Sequence, residues 1–366
     1  MKTGMALIFQ NAENEREDRE VYLKELALGD LAEPLGFQSL WSVEHHFTDY
    51  TMCPDVVQFL AYFSGRTKEI ELGTAVVVLP WHDPMRVAEE VSMLDHMNNG
   101  RTILGIGRGL GRIEFDGFRL DMNKSRGAFV EYAQMLLEGL EKGYCEFDGE
   151  HIKQPRRDIR PAPFKSFRGR TYAAAVSPES VEIMAKLGVG ILVIPQKPWE
   201  ELIPELNSYR AKFRQYTGTD APPTLQFGWT YCHEDEQAAY EGAVKYIGGY
   251  YNSVLKHYEL RADHMKNLKG YEYYAKMQDG LREAGEDAAI KFFLDLQIWG
   301  TPEQCYRKIA ETSSRIHSDH FTGVFSYAGM PYDDAERNMR LFAKDVMPEL
   351  KALPPVGERV KAAAAE

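Results

Sequence analysis

Eight times along this chain a short apolar run recurs, generally followed by a helical stretch, and that repetition restricts the fold more than any other feature. The runs span 5–9, 36–41, 70–79, 101–107, 170–176, 189–194, 224–231 and 321–327. Between and after them, helical spacing marks 17–33, 54–66, 84–97, 125–143, 178–187, 199–216 and 332–350. The third run, Ile-Glu-Leu-Gly-Thr-Ala-Val-Val-Val-Leu, is β-branched and almost continuously apolar. Such a strand suits a parallel sheet covered on both faces. Eight βα units predict a closed (β/α)8 TIM barrel; an open, doubly wound sheet is the competing arrangement. A length of 366 residues is ordinary for one decorated barrel.

Two insertions interrupt the rhythm. Residues 144–169 are rich in Pro, Arg and Phe, with little periodicity. Residues 234–298 are helical, with a charged, tyrosine-rich middle, Lys269-Gly270-Tyr271-Glu272-Tyr273-Tyr274. The second leaves after the seventh strand, from the face where barrels carry their active sites, so it reads either as a lid or as a solvated decoration or dimer contact. A single domain over 1–353 and a frayed tail over 354–366 are expected.

Composition excludes several functions. With a net charge of −12, the chain is a poor partner for nucleic acid. Apolar runs stay below the 18 or more residues that a membrane span needs. The N-terminus lacks a signal-peptide core and cleavage site. Cys53, Cys145, Cys232 and Cys305 are scattered without a CxxC pair, as expected of free buried thiols in a reducing cytoplasm.

Barrel enzymes draw their chemistry from the C-terminal ends of the strands. After the second run comes Glu44-His45-His46-Phe47. Histidine titrates near neutrality and can exchange a proton with a bound intermediate. Neighbours on an extended segment point to opposite sides, so one of the pair is expected in the pocket. A metal site is the rival, but the sequence offers no further cluster at ligand spacing to complete it. After the third run, Gly73-Thr74-Ala75-Val76 offers small residues that let a flat ring approach the backbone. After the fourth, Gly105-Ile106-Gly107-Arg108-Gly109-Leu110-Gly111 fails the dinucleotide fingerprint, because Leu110 and Arg112 stand where glycine is needed. What remains is a close-packing loop with one arginine, Arg108, suited to a phosphate, and no helix is expected directly after it. After the fifth, Val176-Ser177-Pro178-Glu179-Ser180 reads as a capped helix N-terminus, a ready anion site. Thr301-Pro302-Glu303-Gln304 has the same grammar, so capping alone does not assign a ligand. The residues by themselves leave the cofactor unnamed.

In their order, Glu44-His45-His46-Phe47-Thr48, Gly73-Thr74-Ala75, Leu94-Asp95-His96-Met97, Gly105 to Leu110, Lys269-Gly270-Tyr271 and Gly300-Thr301-Pro302-Glu303 resemble the bacterial-luciferase-like flavin monooxygenases, and the α subunit of luciferase above all. The resemblance covers most of the chain. It implies a barrel, usually dimeric, that takes reduced FMN (FMNH2) from a separate flavin reductase. Oxygen then adds at flavin C4a to give a peroxide, which oxidises a small organic substrate. By position it makes His45 the catalytic histidine. It places Ala75 and Val76 under the flavin ring, often with a non-proline cis peptide between them, and gives Arg108, Ser177 and Ser180 to the FMN phosphate. Gly107, Leu110 and Val176 fall at further cofactor positions.

The chain also departs from luciferase. Gly107 replaces a reactive cysteine, Val176 replaces the acidic residue of the phosphate loop, and Pro195 replaces a tryptophan. These changes put light emission and an aldehyde substrate in question. Two alternatives stand beside the monooxygenase: a deazaflavin-dependent oxidoreductase on the same barrel, and a catalytically silent partner subunit, against which the retained His45 and Arg108 argue. In every case a small molecule, not a nucleic acid or membrane, is the expected partner.

Overall fold

The computed structural model describes residues 1–174 and 178–363. Eight parallel strands close into a barrel: Lys2–Leu7, Ser39–Ser42, Glu71–Thr74, Thr102–Gly107, Thr171–Ala174, Gly190–Val193, Thr224–Cys232 and Ser318–Val324. Each pairs with its neighbours in chain order, and the eighth returns to the first, with Phe321 opposite Thr3 and Val324 opposite Ala6. The fourth and seventh strands are buried along their whole length. The seventh is buried on both faces although its sequence, TLQFGWTYC, alternates polar or small residues with apolar ones.

Helices between the strands begin where the sequence offers caps. The Asp83 carboxylate accepts from the N–H groups of Met85 and Arg86, with Pro84 in the first turn. Thr301 and Gln304 form a reciprocal capping box. Packing of the third helix, Pro84–Met97, is fixed by Asp95, whose buried carboxylate takes both Nη atoms of Arg170 at 2.6 and 2.7 Å. Arg170 also donates to the Thr102 carbonyl at 2.9 Å, which ties the helix to the start of two strands. Removing one partner of such a buried pair costs about 3–5 kcal/mol. Asp95→Ala is therefore expected to lower the unfolding free energy by about that much, read from urea unfolding; a change below about 1 kcal/mol would show that the pair behaves as a surface contact.

Several elements differ from the sequence expectation. The third strand is not continuous to Leu79: it breaks after Thr74, resumes as Val77–Val78 and turns into a 3-10 helix at Leu79–Trp81. The peptide bond in the break, Ala75–Val76, is cis. Gly73 does admit a flat ring, but it is the protein's own. A Cβ there would meet the indole of Trp41 at 2.1 Å, and that buried indole fills the barrel interior against Phe227. A short helix, Arg112–Phe118, follows the fourth strand where none was expected.

The insertion at 144–169 holds an antiparallel hairpin, Tyr144–Asp148 with Lys153–Asp158. The last helix passes through a π turn at Phe342–Val346, because Pro348 has no N–H to continue the ladder. Instead of fraying from 354, the chain forms a helix at Val356–Ala363. Its Arg359 donates to Ser313, Ser314 and the Ser318 carbonyl. Among the described residues no helix is long and apolar enough to cross a membrane.

Candidate functional site

A cavity of about 1050 Å3 opens at the C-terminal ends of the strands. Ile8, His45, Ala75, Arg108, Val193, Trp229 and Val324 show that nearly every strand contributes to its wall. It slightly exceeds the usual range for one small-molecule site, roughly 300–1,000 Å3.

The histidine loop follows the second strand. His45 lines the cavity, whereas His46 turns aside against Trp81 and Phe118 and hydrogen bonds to Glu44 at 3.1 Å. Buried Glu44 also accepts from His82 at 2.6 Å and from the Val78 backbone N–H at 2.8 Å. It thereby anchors the loop to the far side of the Ala75–Val76 break. Burial works against ionisation of Glu44, but the bonds from His46 and His82 outweigh it and hold the carboxyl below its ordinary value.

His45 Nδ1 lies 2.8 Å from Oε1 of Glu114, a fully buried carboxylate on the short helix Arg112–Phe118. The same oxygen accepts the His46 backbone N–H at 3.0 Å and lies 3.6 Å from His257 Nε2. Burial pushes the Glu114 carboxyl up. The charge of His45 and the bonds from both histidines outweigh this and bring it to about 2. An ionised Glu114 accepts only, so Nδ1 of His45 is the donor and Nε2 is the ring nitrogen turned toward Tyr258. Nε2 lies 3.3 Å from the Tyr258 hydroxyl, and both residues line the cavity. His257, in the same array, is pushed down by burial, which favours its neutral form.

In sequence nothing completed a metal site around His45; in space Glu114 and His257 do, with ligand atoms within 4.8 Å of one another. The three side chains are linked through the Glu114 carboxylate. The other two lie 69 and 212 positions away from His45 in the chain, and neither stands in a recognisable motif. Only the fold brings them together.

The second centre is basic. Arg108, after the fourth strand, and Arg126, in the first turn of helix Ser125–Lys142, both donate to the Gly270 carbonyl at 2.9 Å. Arg108 lies over the Tyr271 ring at 4.0 Å, and Arg126 pairs with Glu179. Ser180, in the first turn of helix Pro178–Leu187, lines the same cavity. Arg126 escaped the sequence reading, although a signal existed: an arginine in a first helical turn opposes the helix dipole and calls for a compensating anion.

Leu110, Ala75 and Val76 line the cavity too. Gly107 ends the fourth strand, where a Cβ would meet Val76 Cγ2 at 2.4 Å, so the valine fills the space a larger residue at 107 would take. Val176 and Ser177 lie outside the described residues.

The insertion over 234–298 closes the cavity from above. Its helix Glu236–His257 delivers Tyr250 and Tyr251, and Tyr258 follows at the helix end. Helices Glu272–Ala284 and Glu286–Leu296 add Tyr273, Met277, Leu281 and Phe293. The segment is a wall of the site and not a solvated decoration.

The family model for luciferase-like monooxygenases matches residues 1–318. The alkanal monooxygenase alpha chain of Photorhabdus luminescens is 30% identical over 338 residues, 91% of this chain and 93% of that one. Two solved structures are similar in fold. The oxygenating constituent of 3,6-diketocamphane monooxygenase from Pseudomonas putida, in complex with FMN, superposes with a TM-score of 0.74 at 17% identity, over 97% of this chain and 99% of that one. The coenzyme F420-dependent tetrahydromethanopterin reductase of Methanopyrus kandleri gives 0.65 at 18% identity, over 95% and 99%. At these identities the likeness establishes the barrel and leaves the choice of flavin to the site.

Proposed function

The chain belongs to the luciferase-like monooxygenase family, and from that premise we propose that it is a two-component flavin-dependent monooxygenase. It takes reduced FMN from a separate reductase and oxidises a small organic carbonyl or aromatic compound with O2, working as a homodimer. The observation that carries this reading is one cavity holding a two-arginine anion site and a carboxylate-oriented histidine.

The residues present fit a flavin phosphate. Two guanidinium groups converge on a single oxygen, the Gly270 carbonyl, a geometry equally suited to a phosphate oxygen. Arg108, Arg126 and Ser180 would hold that phosphate, and by the family resemblance Val176 and Ser177 would join them. Ala75 and Val76 would bear on the ring, with Gly107 and Leu110 completing its bed. Bound reduced flavin supplies the electrons and the carbon at which O2 is activated.

The chain's own residues do the rest. Glu114 fixes the tautomer of His45, so that Nε2 can accept a proton inside the cavity and return it. Tyr258 offers a hydroxyl to the same nitrogen. The insertion keeps water from the reacting centre, and the aromatic wall it brings leaves few groups to retain water.

The test is stopped flow. The protein is loaded with FMNH2 without oxygen, mixed with O2, and the flavin absorbance followed. A long-lived species distinct from reduced and oxidised FMN is expected. Reoxidation at the rate of free FMNH2 would overturn the proposal. Binding of F420 in its place would then point to the deazaflavin alternative, and binding of neither to a silent subunit.

A further inference from the structure

We propose that the substrate is a planar aromatic molecule of at least two fused rings, bearing a carbonyl or hydroxyl near His45, and not a linear aliphatic aldehyde. This deepens the functional reading above and rests on it.

The cavity divides by element. Its arginines and phosphate-type helix terminus come from the fourth and fifth βα units, through Arg108, Arg126 and Ser180. The wall contributed by the seventh strand and the insertion is rich in aromatic rings, which form two close stacked pairs, with Trp229 and Phe293 themselves 54° apart. Trp229 stacks on Tyr250 with centroids 4.2 Å apart and planes 29° from parallel. Phe293 lies 27° from Tyr250 and 22° from Tyr251, the latter at 4.7 Å. All four line the cavity.

Ring contacts continue from this wall to the proton-handling array. Tyr50 meets Tyr250 through their hydroxyls at 2.5 Å, stacks on His257 at 4.4 Å and 16°, and touches the His45 ring edge-on at 4.9 Å.

Stacked ring pairs select by shape. A flat polycycle lies against such a wall with offset stacking, which adds to its area burial; a flexible chain gains only the area and loses rotamer freedom on binding. One of the two tyrosine hydroxyls donates to the other, so part of the wall's polar capacity is used internally. The volume above that of an ordinary single-ligand site leaves room for such a plate beside a cofactor.

The test is calorimetric titration of the full chain, with and without oxidised FMN, using 2-naphthaldehyde, cyclohexanecarbaldehyde and decanal as probes. The bicyclic aldehyde is expected to bind at least tenfold more tightly than either of the others. Phe293→Leu, which keeps bulk and removes the ring, is expected to weaken 2-naphthaldehyde about fivefold or more, while Phe293→Tyr retains its affinity and so serves as the folding control. Decanal binding as well as 2-naphthaldehyde, no probe binding in either state, or Phe293→Leu weakening all three equally would each overturn the proposal. FMNH2 binding is followed on the same preparations. Its loss with the aromatic preference intact would overturn the monooxygenase reading alone and leave the aromatic site standing.

Discussion

Replacing His45 by alanine is expected to lower the rate of substrate oxidation by roughly 10²–10⁴-fold, the usual contribution of a positioned general acid or base. His45 is the one histidine of the loop that lines the cavity, and Glu114 accepts at its Nδ1, which leaves Nε2 for the reacting centre. Alanine removes that nitrogen and leaves the buried Glu114 carboxylate without the His45 hydrogen bond. Reduced-flavin binding should hold within a few-fold, because Arg108 and Arg126 belong to other elements. The measurement is single-turnover stopped flow beside a separate titration of FMNH2. An unchanged oxidation rate at unchanged flavin binding would remove His45 from the chemistry. His46→Ala is the contrast: that ring packs against Trp81 and Phe118, and its loss should act on stability more than on rate.

Glu114→Gln is expected to have the second-largest effect, a loss of roughly 10²-fold in oxidation rate, because the neutral amide no longer enforces one tautomer of His45. The pH dependence of stability separates an electrostatic role from a packing role. In the folded chain the Glu114 carboxyl lies at about 2, below its ordinary 4.5. A depressed carboxyl stabilises the fold fully above the unfolded value, and that stabilisation is lost as pH falls through the folded one. The native protein should therefore lose stability between about pH 4.5 and 2 through this group. The glutamine variant should be less stable at neutral pH and flatter across that window, as read by urea unfolding at a series of pH values. Parallel curves for the two proteins would show that Glu114 acts only as packing.

Both effects concern a group that was half visible in the sequence. His45 stands in an unusual Glu-His-His at the end of a barrel strand, where chemistry is expected. Glu114 stands in Arg-Ile-Glu-Phe, an ordinary amphipathic turn, and a short helix was not anticipated after the glycines. Arg108 was visible as the sole cation of a glycine loop. Arg126 sits at the start of a long helix and looks like a surface charge until the fold sets both guanidinium groups on one carbonyl. The insertion was legible as helical, but its role was not. Tyr250, Tyr251, Tyr258 and Phe293 are spaced as any buried helix face would be, and the sequence does not say what such a face covers.

The sequence by itself determined the barrel. Eight strand-like segments separated by helical ones, the third of them almost continuously apolar, require strands covered on both sides, and the helices between them supply the cover, so local pattern and global topology follow from the same burial requirement. It also determined which strand ends carry histidine, arginine and small residues, because those positions are local to each βα unit. Only the tertiary structure decided the rest. The carboxylate that orients His45, the second arginine, and the aromatic wall come from segments far apart in the chain. Such contacts depend on distances across the closed barrel, and no local propensity records them.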